Sequence, residues 1–248
     1  MFNKQDYPSV HRGIVLAAHW WLREHRPQTA AWYRQSDIAI LADEVIKPDQ
    51  RGDRQNGSGY HYYCAVDPKG NRRNFIKGDY YPNGKGNHGP SARTMFEEEF
   101  TIATALLSQG NRKVAMAHLA RAAHMLADVC CPPHSCGLTY LSRYAFYHKR
   151  FEALAAKIFW NGADVWGEQA VVRRIANTVS DEVDITRYEN IAHQGAGALF
   201  NGTAQRSAAV LPSVLGRDKA ALTKAVHTQL SLAIGETAAL LTAFTTVP

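Results

Sequence analysis

Two pairs of residues constrain this chain more than anything else in it: His124 with Asp128, and His148 with Glu152, separated by Pro132-Pro133 and a further histidine, His134. Residues four apart on an α-helix lie only about 40° apart around its axis, so each pair puts a ring and a carboxylate on one face. The first pair falls in an apolar helical pattern over Arg112 to Val129, and the second in one over Leu141 to Trp160. The double proline ends the first helix and turns the chain. One such pair alone reads as a surface hydrogen bond. Two of them, flanking a histidine-bearing turn inside otherwise apolar helices, read as metal ligands on facing helices. Imidazole and carboxylate together bind borderline-soft divalent metals, zinc above all.

The rest of the pattern is helical too. Ile14, Ala17, Ala18, Trp21 and Leu22 recur at core spacing over Val10 to Glu24. Further helices are expected at Thr29 to Ile46, Ser91 to Gln109, Gln169 to Val179, Ile185 to Phe200 and Lys219 to Ala243. Gly110 is a good stop residue, and Asn111 is placed to cap the helix that follows. Lys47 to Tyr60 and Asp67 to Pro90 are polar or rich in Gly and Pro and read as loops. Strand-like alternation is almost absent and no internal repeat stands out. The fold class is therefore all-α, a multi-helix bundle with a zinc cluster between helices, expected as one domain over residues 1–248.

No uninterrupted apolar run reaches the roughly 18 residues of a spanning helix. Met1 to Val10 is polar with no signal-peptide core, which suits an intracellular protein or a mature exported form restarted with Met. The formal charge of +6 favours anionic partners such as phosphate esters, nucleic acid or acidic lipid. Cys64, Cys130, Cys131 and Cys136 are an even set, three of them crowded around His134. Two disulfides or buried thiols account for them, and a thiolate ligand is a further option.

Of the eleven histidines, His11 opens the first helix and His61 follows a loop in Gly-Tyr-His-Tyr-Tyr. Asp43 stands near the end of the second expected helix, with Asp49 and Asp53 close behind. In this order, with Gly110-Asn111, Ala117 to His124, Asp128, Pro133-His134, His148 and Glu152, the chain resembles the bacterial zinc-dependent phospholipases C over roughly residues 9 to 155. That family shares its fold with fungal and plant zinc-dependent single-strand nucleases. The resemblance implies three zinc ions. One would be held by His134, His148 and Glu152. A second would be held by Asp43, His61, His124 and Asp128, with Asp128 bridging to a third that also takes His11. It also implies Asp43 as the general base, with Asp49 and Asp53 as alternatives at that position. In the family the third zinc is bound by an N-terminal tryptophan, whereas this chain begins Met1-Phe2.

The fourteen-residue step from His134 to His148 and the terminal Glu152 resemble the phospholipases; the nucleases share a longer insert and a terminal Asp. The expected activity is therefore cleavage of glycerophospholipids at a membrane surface by a secreted or periplasmic monomer, with single-strand nuclease or nucleotidase as the alternative. A non-catalytic, zinc-stabilised protein that binds membranes or partners is the remaining class. Tyr60, Tyr62, Tyr63 and Glu44 are candidates for an aromatic cage around a quaternary ammonium headgroup, against the plainer expectation that the tyrosines pack in the core. The segment from Asp67 to Pro90 mixes Lys69, Arg72, Arg73, Lys77 and Lys85 with Phe75, Tyr80 and Tyr81, suited to anionic lipid or to single strands.

Overall fold

The structure, a computed structural model, describes residues 8–65, 91–138, 145–179 and 196–246. It is all-α, with no strand among the described residues. In chain order the helices are α1 (Val10–His25), α2 (Pro27–Trp32), α3 (Gln35–Glu44), α4 (Ala92–Ser108), α5 (Arg112–Val129), α6 (Pro132–Ser135), α7 (Ala145–Phe159), α8 (Ala163–Trp166), α9 (Glu168–Ala176), α10 (Ala196–Ala208), α11 (Leu211–Leu215) and α12 (Lys219–Thr245). Two 3-10 turns, Lys47–Asp49 and Ser58–His61, lie within the stretch read as loop.

Helix α5 is the axis of the fold. Every residue from Ala122 to Val129 is buried, because α1, α3, α4 and α12 surround it. A helix enclosed on all faces cannot place a histidine or an aspartate at its inner end without partners there, and this is where His124 and Asp128 sit. Helix α4 runs back along α5 through Gly110, whose φ of +76° is the left-handed turn that glycine permits. Asn111 occupies the cap position but makes no side-chain cap bond. Instead Arg112 ties the helix start to Asp37 and to the Trp32 carbonyl, at 2.7–2.9 Å.

One long helix was expected over Thr29 to Ile46; two short ones form. Tyr33 and Arg34 are extended, which lets the buried Tyr33 hydroxyl donate to the Leu241 carbonyl of α12 at 2.6 Å. The Asp37 carboxylate then accepts from the Arg34 N–H and restarts the helix. The prolines that break α5 also start α6, with Pro132 at a position where its missing N–H costs nothing. Of the helix expected over Leu141 to Trp160, residues 141–144 lie outside the described part. So do 185–195 of the one expected up to Phe200, which continues to Ala208 as α10. Helix α11 had no counterpart in the reading.

Gly13 sets how closely α1 approaches α7. A Cβ there would stand 2.4 Å from Phe159 Cε1 and 2.9 Å from Trp160 Cζ2. The contact seats the first turn of α1, and with it His11, against the element that ends the α7 bundle. No helix among the described residues is long and apolar enough to cross a membrane. The four cysteines form no disulfide. Burial pushes the Cys130, Cys131 and Cys136 thiols upward, so they stay protonated.

Candidate metal centre

Seven of the eight residues expected as ligands converge. On the first side, His124 Nε2 lies 3.2 Å from Asp128 Oδ2 and 3.2 Å from His61 Nδ1, and His61 Nδ1 lies 2.7 Å from Asp128 Oδ2. His11 Nε2 reaches Asp128 Oδ1 at 3.3 Å, so the two oxygens of Asp128 face different imidazoles. The His11 and His124 rings stack at 4.0 Å. On the second side, Glu152 Oε1 is 2.8 Å from His148 Nε2 and 3.3 Å from His134 Nε2, and the two imidazole nitrogens are 3.0 Å apart.

Asp43 is the exception, which the structure does not bring to the cluster. Its side chain is 71% exposed and receives Arg12 Nη1 at 2.7 Å, while the same guanidinium binds Glu168. Leu41 and Ala42 on α3 and Val45 just after it take the inward positions, which leaves Asp43 pointing outward. The carboxylate that joins the cluster is Asp49, carried back by its 3-10 turn to 3.8 Å from both His11 Nε2 and His124 Nε2. Asp53, the other alternative, is taken up by Arg121 at 2.6 and 2.9 Å.

The outer ring nitrogens explain why the inner ones face each other. His124 Nδ1 donates to the Val45 carbonyl at 2.7 Å, His134 Nδ1 to the His61 carbonyl at 2.7 Å, His148 Nδ1 to the Leu138 carbonyl at 3.1 Å and His61 Nε2 to the Gln55 carbonyl at 3.1 Å. A backbone carbonyl only accepts, so in each neutral ring the proton sits on the outer nitrogen and the inner nitrogen keeps a lone pair. Two lone pairs facing at 3.0–3.2 Å repel unless a proton or a cation lies between them. Orientation of this kind, from a carbonyl behind each ring, is how metal-binding histidines are held. Among the cluster's histidines, His11 differs: its outer nitrogen, Nδ1, is buried without a hydrogen-bond partner among the described residues.

Electrostatics point the same way. Burial alone would raise Asp128, but His124, His134, His61 and His11 outweigh it and hold the carboxyl well below its ordinary range. Glu152 is likewise lowered, against its burial, by His134 and His148. His134 resists burial and is pushed up to about 9 by Asp128 and Glu152. The carboxylates draw positive charge into this centre, and a divalent cation meets that demand as well as protons do. Three sets of donor atoms each lie within 4.8 Å of one another: His61, His124 and Asp128; His11, Asp49 and His124; and Cys131, His134 and His148.

Two features escaped the sequence reading. Gln55 is buried and its side chain bridges Glu99 and Arg121, fixing the loop whose carbonyl receives His61. Glu99 is fully buried on α4 and is held by Arg54 and by His118 at 2.6 Å. A charged residue that follows a half-buried Glu97 and an exposed Glu98 in the same helix carries no sequence signal of burial. Two of the four residues weighed for an aromatic cage pack in the core, as the plainer expectation had it. Tyr62 is buried and stacks on His134 at 4.7 Å, and Tyr63 is buried against Phe200. The basic and aromatic stretch from Asp67 to Pro90 and the N-terminal Met1-Phe2 lie outside the described residues.

No family model and no curated protein sequence matches this chain. Solved structures do. The alpha-toxin of Clostridium perfringens isolated from avian strain SWCP superposes with a TM-score of 0.69 at 17% identity, over 98% of this chain and 65% of that one. The alpha toxin of Clostridium absonum gives a TM-score of 0.65 at 16% identity with the same coverage. This chain thus spans about two thirds of the length of the proteins it matches. At such low identity the likeness is one of fold, and that fold is the one expected from the zinc-dependent phospholipases C of bacteria.

Proposed function

We propose that this chain is a zinc-dependent phosphodiester hydrolase, and within that class a phospholipase C that splits glycerophospholipids into diacylglycerol and a phosphorylated headgroup. The observation that carries the reading is the set of inward-facing imidazole nitrogens, each tied from behind to a backbone carbonyl, around Asp128 and Glu152. His134, His148 and Glu152 would hold one ion, His61, His124, Asp128 and Asp49 a second, and Asp128 with His11 a third. Bound zinc would neutralise phosphate oxygens and lower the pKa of a coordinated water from about 15.7 to about 7.

The chain's own groups supply the rest. The carbonyls of Val45, Gln55, His61 and Leu138 fix four ring orientations before any substrate arrives, so no reorganisation is needed on binding. Asp49 takes the role expected of Asp43. It is 55% exposed at the edge of the cluster, free to face a substrate and to accept a proton at its carboxylate oxygens. Asp128, buried and held well below its ordinary range, keeps a negative charge in the interior for protons or cations to meet. The choice of phospholipid over nucleic acid is supported by the His134–His148 spacing and the terminal Glu152. We read residues 1–248 as one domain, acting as a monomer outside the cytoplasm, secreted or periplasmic.

The test is to assay the zinc-loaded chain on phosphatidylcholine vesicles and on single-stranded DNA, with a chelated control and His124→Ala. Diacylglycerol release that disappears in both controls supports the proposal. DNA cleavage without lipid turnover would replace phospholipase by nuclease.

A further inference from the structure

Cys131 lies at the mouth of the second half of the centre. It is the residue before α6, partly exposed, and its Sγ stands with the inner nitrogens of His134 and His148 in one set within 4.8 Å. Burial first, then the Glu152 and Asp128 carboxylates, push this thiol upward, and the backbone N–H of His134 opposes them, so it ionises only when a cation takes its proton's place. The sulfur packs against the apolar core on one side and lies beside the two imidazoles of the second half on the other. The other cysteines are placed differently: Cys130 feels Glu236 and Arg206, and Cys136 lies by Ser135 Oγ at 4.0 Å.

We infer that Cys131 is a ligand, its thiolate completing a Cys-His-His-Glu set with His134, His148 and Glu152 for one zinc ion. The inference rests on the proposed function only in assuming that the centre binds metal. Zinc takes thiolate at about 2.3 Å and imidazole at about 2.0–2.1 Å, which in a tetrahedron separates S from N by about 3.5 Å. From no more than 4.8 Å that distance is reached by a movement of at most about 1.3 Å, within the arc of the single side-chain torsion of a cysteine. Metal entry releases the thiol proton to solvent, forming a zinc–sulfur bond at the expense of the S–H bond. Four protein ligands close the coordination of a structural zinc, whereas a catalytic one keeps a position open. The open position would then belong to the half containing Asp49, and the His134 half would serve mainly to hold the fold and the charge.

Cobalt(II) reports this directly, because a thiolate ligand adds a charge-transfer absorption in the near ultraviolet that imidazole and carboxylate do not. The chelated full-length chain is titrated with cobalt alone, alongside Cys131→Ser and Cys136→Ser, with bound metal counted by elemental analysis. The expected result is a charge-transfer band in the wild type and in Cys136→Ser that vanishes in Cys131→Ser, with affinity for one ion falling at least ~10-fold, the lower bound for losing even a group behind a ligand. Cobalt bound without that band, or a band that survives Cys131→Ser, overturns the thiolate ligand and leaves the metal centre standing. No bound cobalt overturns both. Alkylation of the wild type, mapped by peptide mass, covers a variant that fails to fold: Cys131 should be protected in the zinc-loaded chain and modified after chelation. Equal modification in the two states overturns the inference.

Discussion

Asp49→Asn and Asp43→Asn, made side by side, separate the geometry of this centre from its sequence order. Six positions apart, both carboxylates are plausible ligands on paper. Among the described residues Asp43 meets only Arg12, at 2.7 Å and 71% exposed, and exposed ion pairs of this kind contribute about 0–1 kcal/mol. Asp43→Asn should therefore leave turnover within about 2-fold of wild type and shift stability by less than about 1 kcal/mol. Asp49 lies 3.8 Å from two inner imidazole nitrogens. Its loss removes a negative ligand and the proposed proton acceptor together, and general bases contribute typically about 10²–10⁴-fold. At about 1.36 kcal/mol per tenfold, kcat/KM should fall by about 2.7–5.4 kcal/mol of transition-state stabilisation. The assay is hydrolysis of a soluble chromogenic phosphodiester, with metal content measured on the same samples. If Asp43→Asn were the damaging change and Asp49→Asn the silent one, the assignment of the carboxylate would be wrong, whatever the activity of the chain.

Two further substitutions probe how the site is held. Gly13→Ala would gain up to about 1 kcal/mol of helix propensity but place a Cβ 2.4 Å from Phe159, and overpacking of this sort costs about 1–3 kcal/mol. A net loss is expected in denaturant titration, with weaker metal retention because His11 is on the same turn; a stabilised variant would contradict the close approach of α1. Asp53, bound by Arg121, has its pKa lowered chiefly by that hydrogen bond, so the pair stabilises the fold fully above the unfolded carboxyl value of about 3.9 and is lost as pH falls through the lower folded value. Asp53→Asn should therefore cost up to about 2 kcal/mol at pH 7, and the gap to wild type should close below about pH 4; a gap independent of pH would exclude the ion pair as its source.

What the sequence disclosed, and what it hid, follows from the range of each interaction. His124, Asp128, His148 and Glu152 were legible because their pairing is local to one helix turn, and the periodicity around them states which face turns inward. Helices α1, α4, α5 and α12 were legible for the same reason. Asp49 was not separable from Asp43, since the decision depends on a 3-10 turn whose direction no periodicity encodes. The break at Tyr33 depends on Leu241, 208 residues away. Buried Glu99 depends on three partners from two other segments, Arg54 and Gln55 on one and His118 on the other, and nothing in Glu97-Glu98-Glu99 marks the third as different.

His61 shows why the two halves of the centre act as one unit. Its ring closes on Asp128 at 2.7 Å, and its carbonyl receives His134 Nδ1 at the same distance. The next residue, Tyr62, stacks on the His134 ring, and Tyr63 N–H donates to the His134 carbonyl at 3.1 Å. A displacement of this short segment therefore misplaces ligands on both sides together. The segment is itself fixed from behind by Gln55, whose backbone carbonyl receives the His61 ring and whose side chain bridges Glu99 and Arg121. The buried charge on α4 thus has a physical use. It anchors the one loop that both halves share, and it explains why a polar group costly to bury is placed one layer behind the ligands rather than on the surface.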